Sequence, residues 1–180
     1  MAVFALLMLV MARPTRLSLD WGISVSILGE LWRLWALGYS GEHTRGTEVA
    51  APRLITSGPF SVCRNPLYLG NALNSLGVTV AVCGGWPLPI RLGLLGCCAL
   101  ALALVYGCCV RAEERFLRER FGSAYDDYCR RTPRFFPRRW PTPASREEGF
   151  CWGNLGFEKV TLIWWVLCWS YLHCRYIGVL

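Results

Sequence analysis

Residues 54–70 read Leu54-Ile55-Thr56-Ser57-Gly58-Pro59-Phe60-Ser61-Val62-Cys63-Arg64-Asn65-Pro66-Leu67-Tyr68-Leu69-Gly70. Gly58-Pro59 signals a turn. Asn65-Pro66 signals a helix start, because proline suits a first-turn position whose N–H has no helical partner. The chain is then apolar over 67–83, breaks at Gly84-Gly85-Trp86-Pro87-Leu88-Pro89, and is apolar again over 90–110. Two such runs joined by a tight turn predict a helical hairpin whose open ends lie on one side. The loop before Tyr68 and the segment after Val110 therefore share a face. Each run approaches the roughly 20 residues that cross a bilayer, which points to membrane spans rather than a soluble core.

On the N-terminal side, 17–39 is long enough to cross although it carries Asp20, Glu30 and Arg33. Glu30 and Arg33 are three apart and share a helix face, where they can pair. An ionisable group at such depth is a functional candidate by default, with a structural ion pair near the interface as the plainer alternative. Residues 2–12 are apolar but short, and lack the basic leader and cleavage site of a signal peptide, so they read as a partial or tilted span. On the C-terminal side, Leu117, Phe121, Tyr125 and Tyr128 recur at spacings of three or four with charges between them. That pattern predicts an amphipathic helix over 111–131 lying at the interface. Pro133, Pro137, Pro141 and Pro143 predict an extended basic connector, and 160–176, with Trp164, Trp165 and Trp169, a last span.

Composition agrees with a membrane class. Of 180 residues, 54% are hydrophobic and nine are Trp, against about 45–50% apolar in soluble proteins. The net charge is +7, and ten of the arginines fall between Arg111 and Arg146. A basic segment between apolar spans marks the cytoplasmic side of a membrane better than it fits a nucleic-acid surface. Ten cysteines without a Cys-x-x-Cys, accompanied by only two histidines, supply a metal site poorly and read as small buried hydrophobes. The expected fold is thus an all-α polytopic integral membrane protein, one domain over 1–180. It has about four to five transmembrane helices plus a cytosolic interfacial amphipathic helix.

Two polar segments, 52–70 and 111–137, meet at the proposed face. In the first, Arg64 offers a forked cation beside the helix start at Asn65-Pro66, which suits a carboxylate or phosphate. The plainer alternative is a helix cap with a snorkelling arginine. In the second, Glu113 and Glu114 stand where a span emerges. A carboxylate there can meet an amine or a sulfonium, or simply answer the helix dipole.

Taken together, Leu-Ile-Thr-Ser-Gly-Pro-Phe (54–60), Arg-Asn-Pro-Leu-Tyr-Leu-Gly (64–70), the apolar hairpin, Glu113-Glu114 followed by Leu117, Phe121-Gly122, Tyr125 and Tyr128, and Pro133-Arg134-x-x-Pro137 resemble the isoprenylcysteine carboxyl methyltransferase and phospholipid methyltransferase superfamily. Gly29-Glu30-x-x-Arg33-x-Trp35-Ala36-x-Gly38 is similar to its bacterial members. The resemblance implies S-adenosylmethionine held between the two cytosolic segments of a bacterial inner-membrane protein. Positions matching Pro52, Arg53, Leu54, Ile55, Phe60, Asn65, Pro66, Leu67 and Tyr68 would line it, and Glu113 would meet its charged portion. It also implies a lipid or a prenylated or other hydrophobic small molecule as methyl acceptor. Arg64 is the candidate for orienting the donor carboxylate or a substrate oxygen, and Glu114 the candidate base for an amine acceptor. Two departures stand out: Asn65 occupies a position that is His in the eukaryotic carboxyl methyltransferases, and Cys109 a position that is a substrate-side Arg. Arg111 is the nearest substitute, but lies about 200° further around a helix. A reductase of the sterol-reductase type using NADPH, and a noncatalytic membrane module on the same scaffold, are the alternatives.

Overall fold

A computed structural model describes residues 9–40, 53–137 and 149–179, apart from the Phe157 side chain. Most of the partial span expected at 2–12, the position of Pro52 and the connector beyond residue 137 lie outside the described residues. Among those residues the regular elements are helical. They are α1 (Arg16–Ser40), α2 (Pro66–Cys83), α3 (Leu88–Phe121), α4 (Ser123–Arg131) and α5 (Lys159–Tyr176), with 3-10 turns at Gly58–Ser61 and Trp152–Glu158.

Helix α2 starts where Asn65-Pro66 predicts, and the Leu69 N–H donates to the Asn65 carbonyl at 3.1 Å. The boundary expected near residue 110 does not exist. Helix α3 runs for 34 residues, about 51 Å at 1.5 Å per residue, well over the roughly 20 residues that a bilayer crossing takes. The amphipathic helix expected over 111–131 is instead divided at Gly122. There φ is +54° and ψ is −127°, a conformation that side chains with a Cβ avoid. A Cβ at Gly122 would meet nothing within 4 Å, so the backbone conformation and not space demands glycine. By length and apolar composition, α2 and α3 are able to cross a membrane. Helices α1 and α5 match their expected spans in extent but fall short of that apolarity.

The chain divides into two compact units, one comprising Met1–Glu30, Asn71–Ala103 and Lys159–Leu180, the other Leu31–Gly70 and Leu104–Glu158. In the first, Ala12, Leu19, Ala81, Val82, Trp169 and Leu172 form the apolar core. Helices α1 and α2 touch backbone to backbone at Gly22 and Gly77, where a Cβ on Gly22 would stand 2.5 Å from the Gly77 carbonyl oxygen. Small residues permit such approach in apolar helix pairs. A polar tie crosses the same unit. Ser26, fully buried, donates to Asn74 Oδ1 at 2.6 Å and accepts from the Trp165 and Trp169 indoles at 2.8 and 3.3 Å. Asn74 in turn donates to Glu30 Oε2 at 2.8 Å.

Candidate functional site

The second unit contains both polar segments. The 3-10 turn Gly58–Ser61 is fixed by the Tyr128 hydroxyl, which donates to the Phe60 carbonyl at 2.6 Å. Burial pushes the Tyr128 hydroxyl well above its ordinary range, so it remains a donor. Thr132 donates to the Ser61 carbonyl at 3.4 Å. The Arg64 N–H reaches the Pro133 carbonyl at 2.9 Å. Asn65, buried, donates through Nδ2 to the Arg134 carbonyl at 3.1 Å. Residues 58–65 and 128–134 are thereby stitched along their length.

Arg64 is the centre of this stitching. Its Nη1 donates to the Cys129 and Thr132 carbonyls at 3.1 and 2.7 Å, the free carbonyls that the C-terminal end of α4 leaves over. Its Nε and Nη2 donate to Glu114 Oε1 at 3.3 and 3.0 Å. Arg134 completes a triad, with Nε on Oε1 at 3.1 Å and Nη2 on Oε2 of Glu114. Burial pushes the Glu114 carboxyl up, but the hydrogen bonds and charges of Arg134 and Arg64 outweigh it and hold it below the usual range. Arg64, expected to orient a donor carboxylate or substrate oxygen, and Glu114, expected as a base, instead direct their polar atoms at each other, at Arg134 and, for Arg64, at the backbone.

Glu113 is oriented differently. It is half-buried, one residue before Glu114 and so about 100° away around the helix. It lies beside the hydroxyl of Tyr68, whose ring packs edge to face on Tyr106 with centroids 5.1 Å apart. Burial pushes its carboxyl up, the Tyr68 hydroxyl beside it opposes this, and the neighbouring Glu114 charge adds to it. A carboxylate beside aromatic rings suits a weakly hydrated cation. The donor set therefore fits the sulfonium or amino group of S-adenosylmethionine.

Leu54, Ile55, Phe60 and Leu67 are half-buried, Pro66 is buried, and Arg53 is exposed. Arg111 is exposed, with its guanidinium folded back to 3.9 Å from the Cβ position of Gly107. Two residues from Glu113, it points about 200° away around the helix, and the structure does not bring it to Tyr68 and Glu113. Burial pushes the Cys63 thiol up to about 11, with only partial opposition from the Asn65 backbone and Arg64, so it is no nucleophile. Among the described residues no group of three or more His, Cys, Asp or Glu is placed for a metal ion, and all ten cysteines are free. Arg134, Tyr106 and Tyr128 are participants to which sequence reading assigned no role at the site. For Arg134 and Tyr128 the signal was present, in Pro133-Arg134-x-x-Pro137 and Tyr125-x-x-Tyr128; for Tyr106, inside an apolar run, there was none.

A helical chain able to cross a membrane, with two polar segments closing around a carboxylate, defines a class, and comparison supplies its family. Residues 21–124, more than half of the sequence, match the phospholipid methyltransferase family, and the chain belongs to that family. It is 39% identical over 117 residues to the cobalt-zinc-cadmium resistance protein CzcN of Cupriavidus metallidurans, covering 65% of this chain and 46% of that protein. It is 29% identical over 126 residues to protein-S-isoprenylcysteine O-methyltransferase B of Arabidopsis thaliana, covering 66% and 58%. It is 29% identical over 128 residues to methanethiol S-methyltransferase 2 of Bradyrhizobium diazoefficiens, covering 62% and 46%. The chain spans about half the length of these relatives. No solved structure matches it. These names belong to methyltransferases and a metal-resistance protein, not to reductases.

Proposed function

We propose that this protein is a multi-pass membrane methyltransferase that takes a methyl group from S-adenosylmethionine and gives it to a lipid or other hydrophobic acceptor at the cytoplasmic face of a bacterial inner membrane. The observation that carries this reading is the Tyr68 hydroxyl set beside Glu113, with the Tyr106 ring alongside. It joins the two polar segments around a carboxylate suited to a cation.

Bound there, the donor supplies an activated methyl: an acceptor lone pair forms the new bond while the carbon–sulfur electrons return to sulfur. The protein's task is then alignment, which contributes roughly 7–11 kcal/mol in favourable cases. Glu113 holds the cationic part. Arg53, Leu54, Ile55, Phe60, Leu67 and Tyr68 form the walls, with Pro52 beside them in sequence, while Asn65 and Pro66 set the helix start. Arg64, Glu114 and Arg134 act as a positioning triad that fixes the 58–65 segment rather than as acid, base or ligand. Arg111, on the far side of α3, is left to contact acceptor or headgroups.

The test is transfer of labelled methyl from S-adenosylmethionine into total membrane lipids and small hydrophobic acceptors by the purified protein in lipid. A labelled lipid or lipid-like product that disappears in Glu113→Ala supports the reading. Transfer that survives this change overturns the assignment of the donor's cation to Glu113, whereas no transfer to any acceptor together with no donor binding overturns the reading and favours a noncatalytic module.

A further inference from the structure

We propose that residues 149–158 form a strap that positions the cofactor turn Gly58–Ser61, acting through Phe150 and Tyr39. This rests on the methyltransferase reading for its functional consequence, but not for its structural one.

The strap is anchored at the C-terminal end of α1. A helix leaves its last carbonyls without partners, and here the Gly38 carbonyl receives two strap donors, the Cys151 N–H at 2.8 Å and Asn154 Nδ2 at 3.2 Å. The Phe150 ring lies directly on Gly38: a Cβ there would fall 2.0 Å from Phe150 Cε2, so only glycine leaves room. At its other end the strap is held by Glu158, buried, which accepts from Arg33 Nη2 at 2.9 Å. Arg33 stands five residues before Gly38 on the same helix, so both anchors grip α1.

Contact passes from the strap to the turn through one aromatic ring. Phe150 meets Tyr39 edge on, with centroids 5.9 Å apart. The Tyr39 ring covers Gly58, where a Cβ would be 2.5 Å from Tyr39 Cε2. Gly58 also has φ +54°, a conformation that glycine tolerates and other residues resist. The turn is therefore clasped between Tyr128, bonded to the Phe60 carbonyl, and Tyr39, backed by Phe150. Without that backing, Tyr39 has freedom to leave Gly58 and the turn samples other conformations. Tyr39 and Phe150 are positioning residues: they touch the turn, not the reacting atoms.

The experiment uses full-length protein in lipid nanodiscs, with Phe150→Ala, Tyr39→Ala, the double variant and the conservative Phe150→Tyr. Amide hydrogen exchange at Phe60, Val62 and Cys63, whose N–H groups close the turn on Ser57 and Pro59, is read without donor. It is expected to quicken about tenfold in both single variants, as local opening becomes easier. The Thr132 amide, bonded to the Tyr128 carbonyl, reports whether the rest of the unit stays folded and is expected to be unchanged. The double variant should be no worse than either single one, since both remove one relay. Phe150→Tyr should behave as wild type. The dissociation constant for S-adenosylmethionine should rise by the factor by which the closed fraction of the turn falls, with turnover at saturating donor held within about twofold. Unchanged exchange at the turn in Phe150→Ala, or additive effects in the double variant, overturns the strap. Quickened exchange in a protein that binds no S-adenosylmethionine at all would instead uphold the strap and sink the methyltransferase reading.

Discussion

Glu114→Ala removes the only acidic member of the triad and leaves two guanidinium groups facing each other. Their cost is unequal. The Arg64 side chain is 12% exposed and that of Arg134 is 45% exposed. Stranding a buried cation costs about 3–5 kcal/mol, whereas an exposed pair is worth about 0–1 kcal/mol. Arg64 keeps the Cys129 and Thr132 carbonyls, which favours the lower part of the first range. For a chain of this size 1 kcal/mol shifts the unfolding midpoint by about 2–4 °C. The expected loss is therefore roughly 6–12 °C for Glu114→Ala and no more than about 4 °C for Arg134→Ala. The assay is thermal unfolding of the purified variants in one detergent at fixed protein concentration, read by loss of a monodisperse peak. If Glu114→Ala falls within about 4 °C of wild type, or Arg134→Ala matches it, the triad is not organised around a buried Arg64 and the reasoning fails.

Acid should act on the same group. The Glu114 carboxyl lies below its ordinary value of about 4.3, so the unfolded chain takes up the proton first. The stability it contributes is complete above that ordinary value and is lost as pH falls through the folded one. Acid titration of the unfolding midpoint should show this loss, and Glu114→Gln should flatten it. Glu113 behaves oppositely: burial raises its carboxyl, so protonation on acidification should weaken binding of a cationic donor at a pH above the ordinary glutamate range. Titrations of S-adenosylmethionine binding across pH 5–8 check this, and a flat profile would count against Glu113 as the cation partner. Gly122→Ala, at a φ of +54° with open space around it, should cost about 1 kcal/mol or more through backbone conformation alone. Thermal unfolding reads this, and Gly93→Ala, in open space within α3, should be neutral or stabilising. Ser26→Ala leaves the Trp165 indole with only the longer bond to Asn74 and removes the bond that the Trp169 indole makes to Ser26. It should lower stability by about 1–2 kcal/mol and shift tryptophan fluorescence.

The sequence announces elements whose signals are local and conceals those made by distant partners. Asn65-Pro66 marks the start of α2 because proline's missing N–H is a property of one residue, and the α5 range follows from a largely apolar, Trp-rich run. The division at Gly122 escaped notice because the spacing of Leu117, Phe121, Tyr125 and Tyr128 continues across it. Periodicity counts side chains, while a positive φ is a property of the backbone, and the glycine was the only hint. At the site, hairpin parity put the loop before Tyr68 and the segment after Val110 on one face, but did not by itself single out Tyr68 and Glu113. The occupation of Arg64 by the Cys129 and Thr132 carbonyls was not, because carbonyl groups at a helix end carry no side-chain signature. Arg33 and Glu158, 125 residues apart, are likewise joined only by the fold.

Binding of S-adenosylmethionine to wild type and to Glu113→Gln, measured by titration calorimetry in detergent with NADPH as competitor, addresses the role of Glu113 most directly. Saturable binding to wild type, undisturbed by NADPH and weakened at least tenfold by Glu113→Gln, is the outcome expected. Equal binding to both proteins, or displacement of the donor by NADPH, would contradict it.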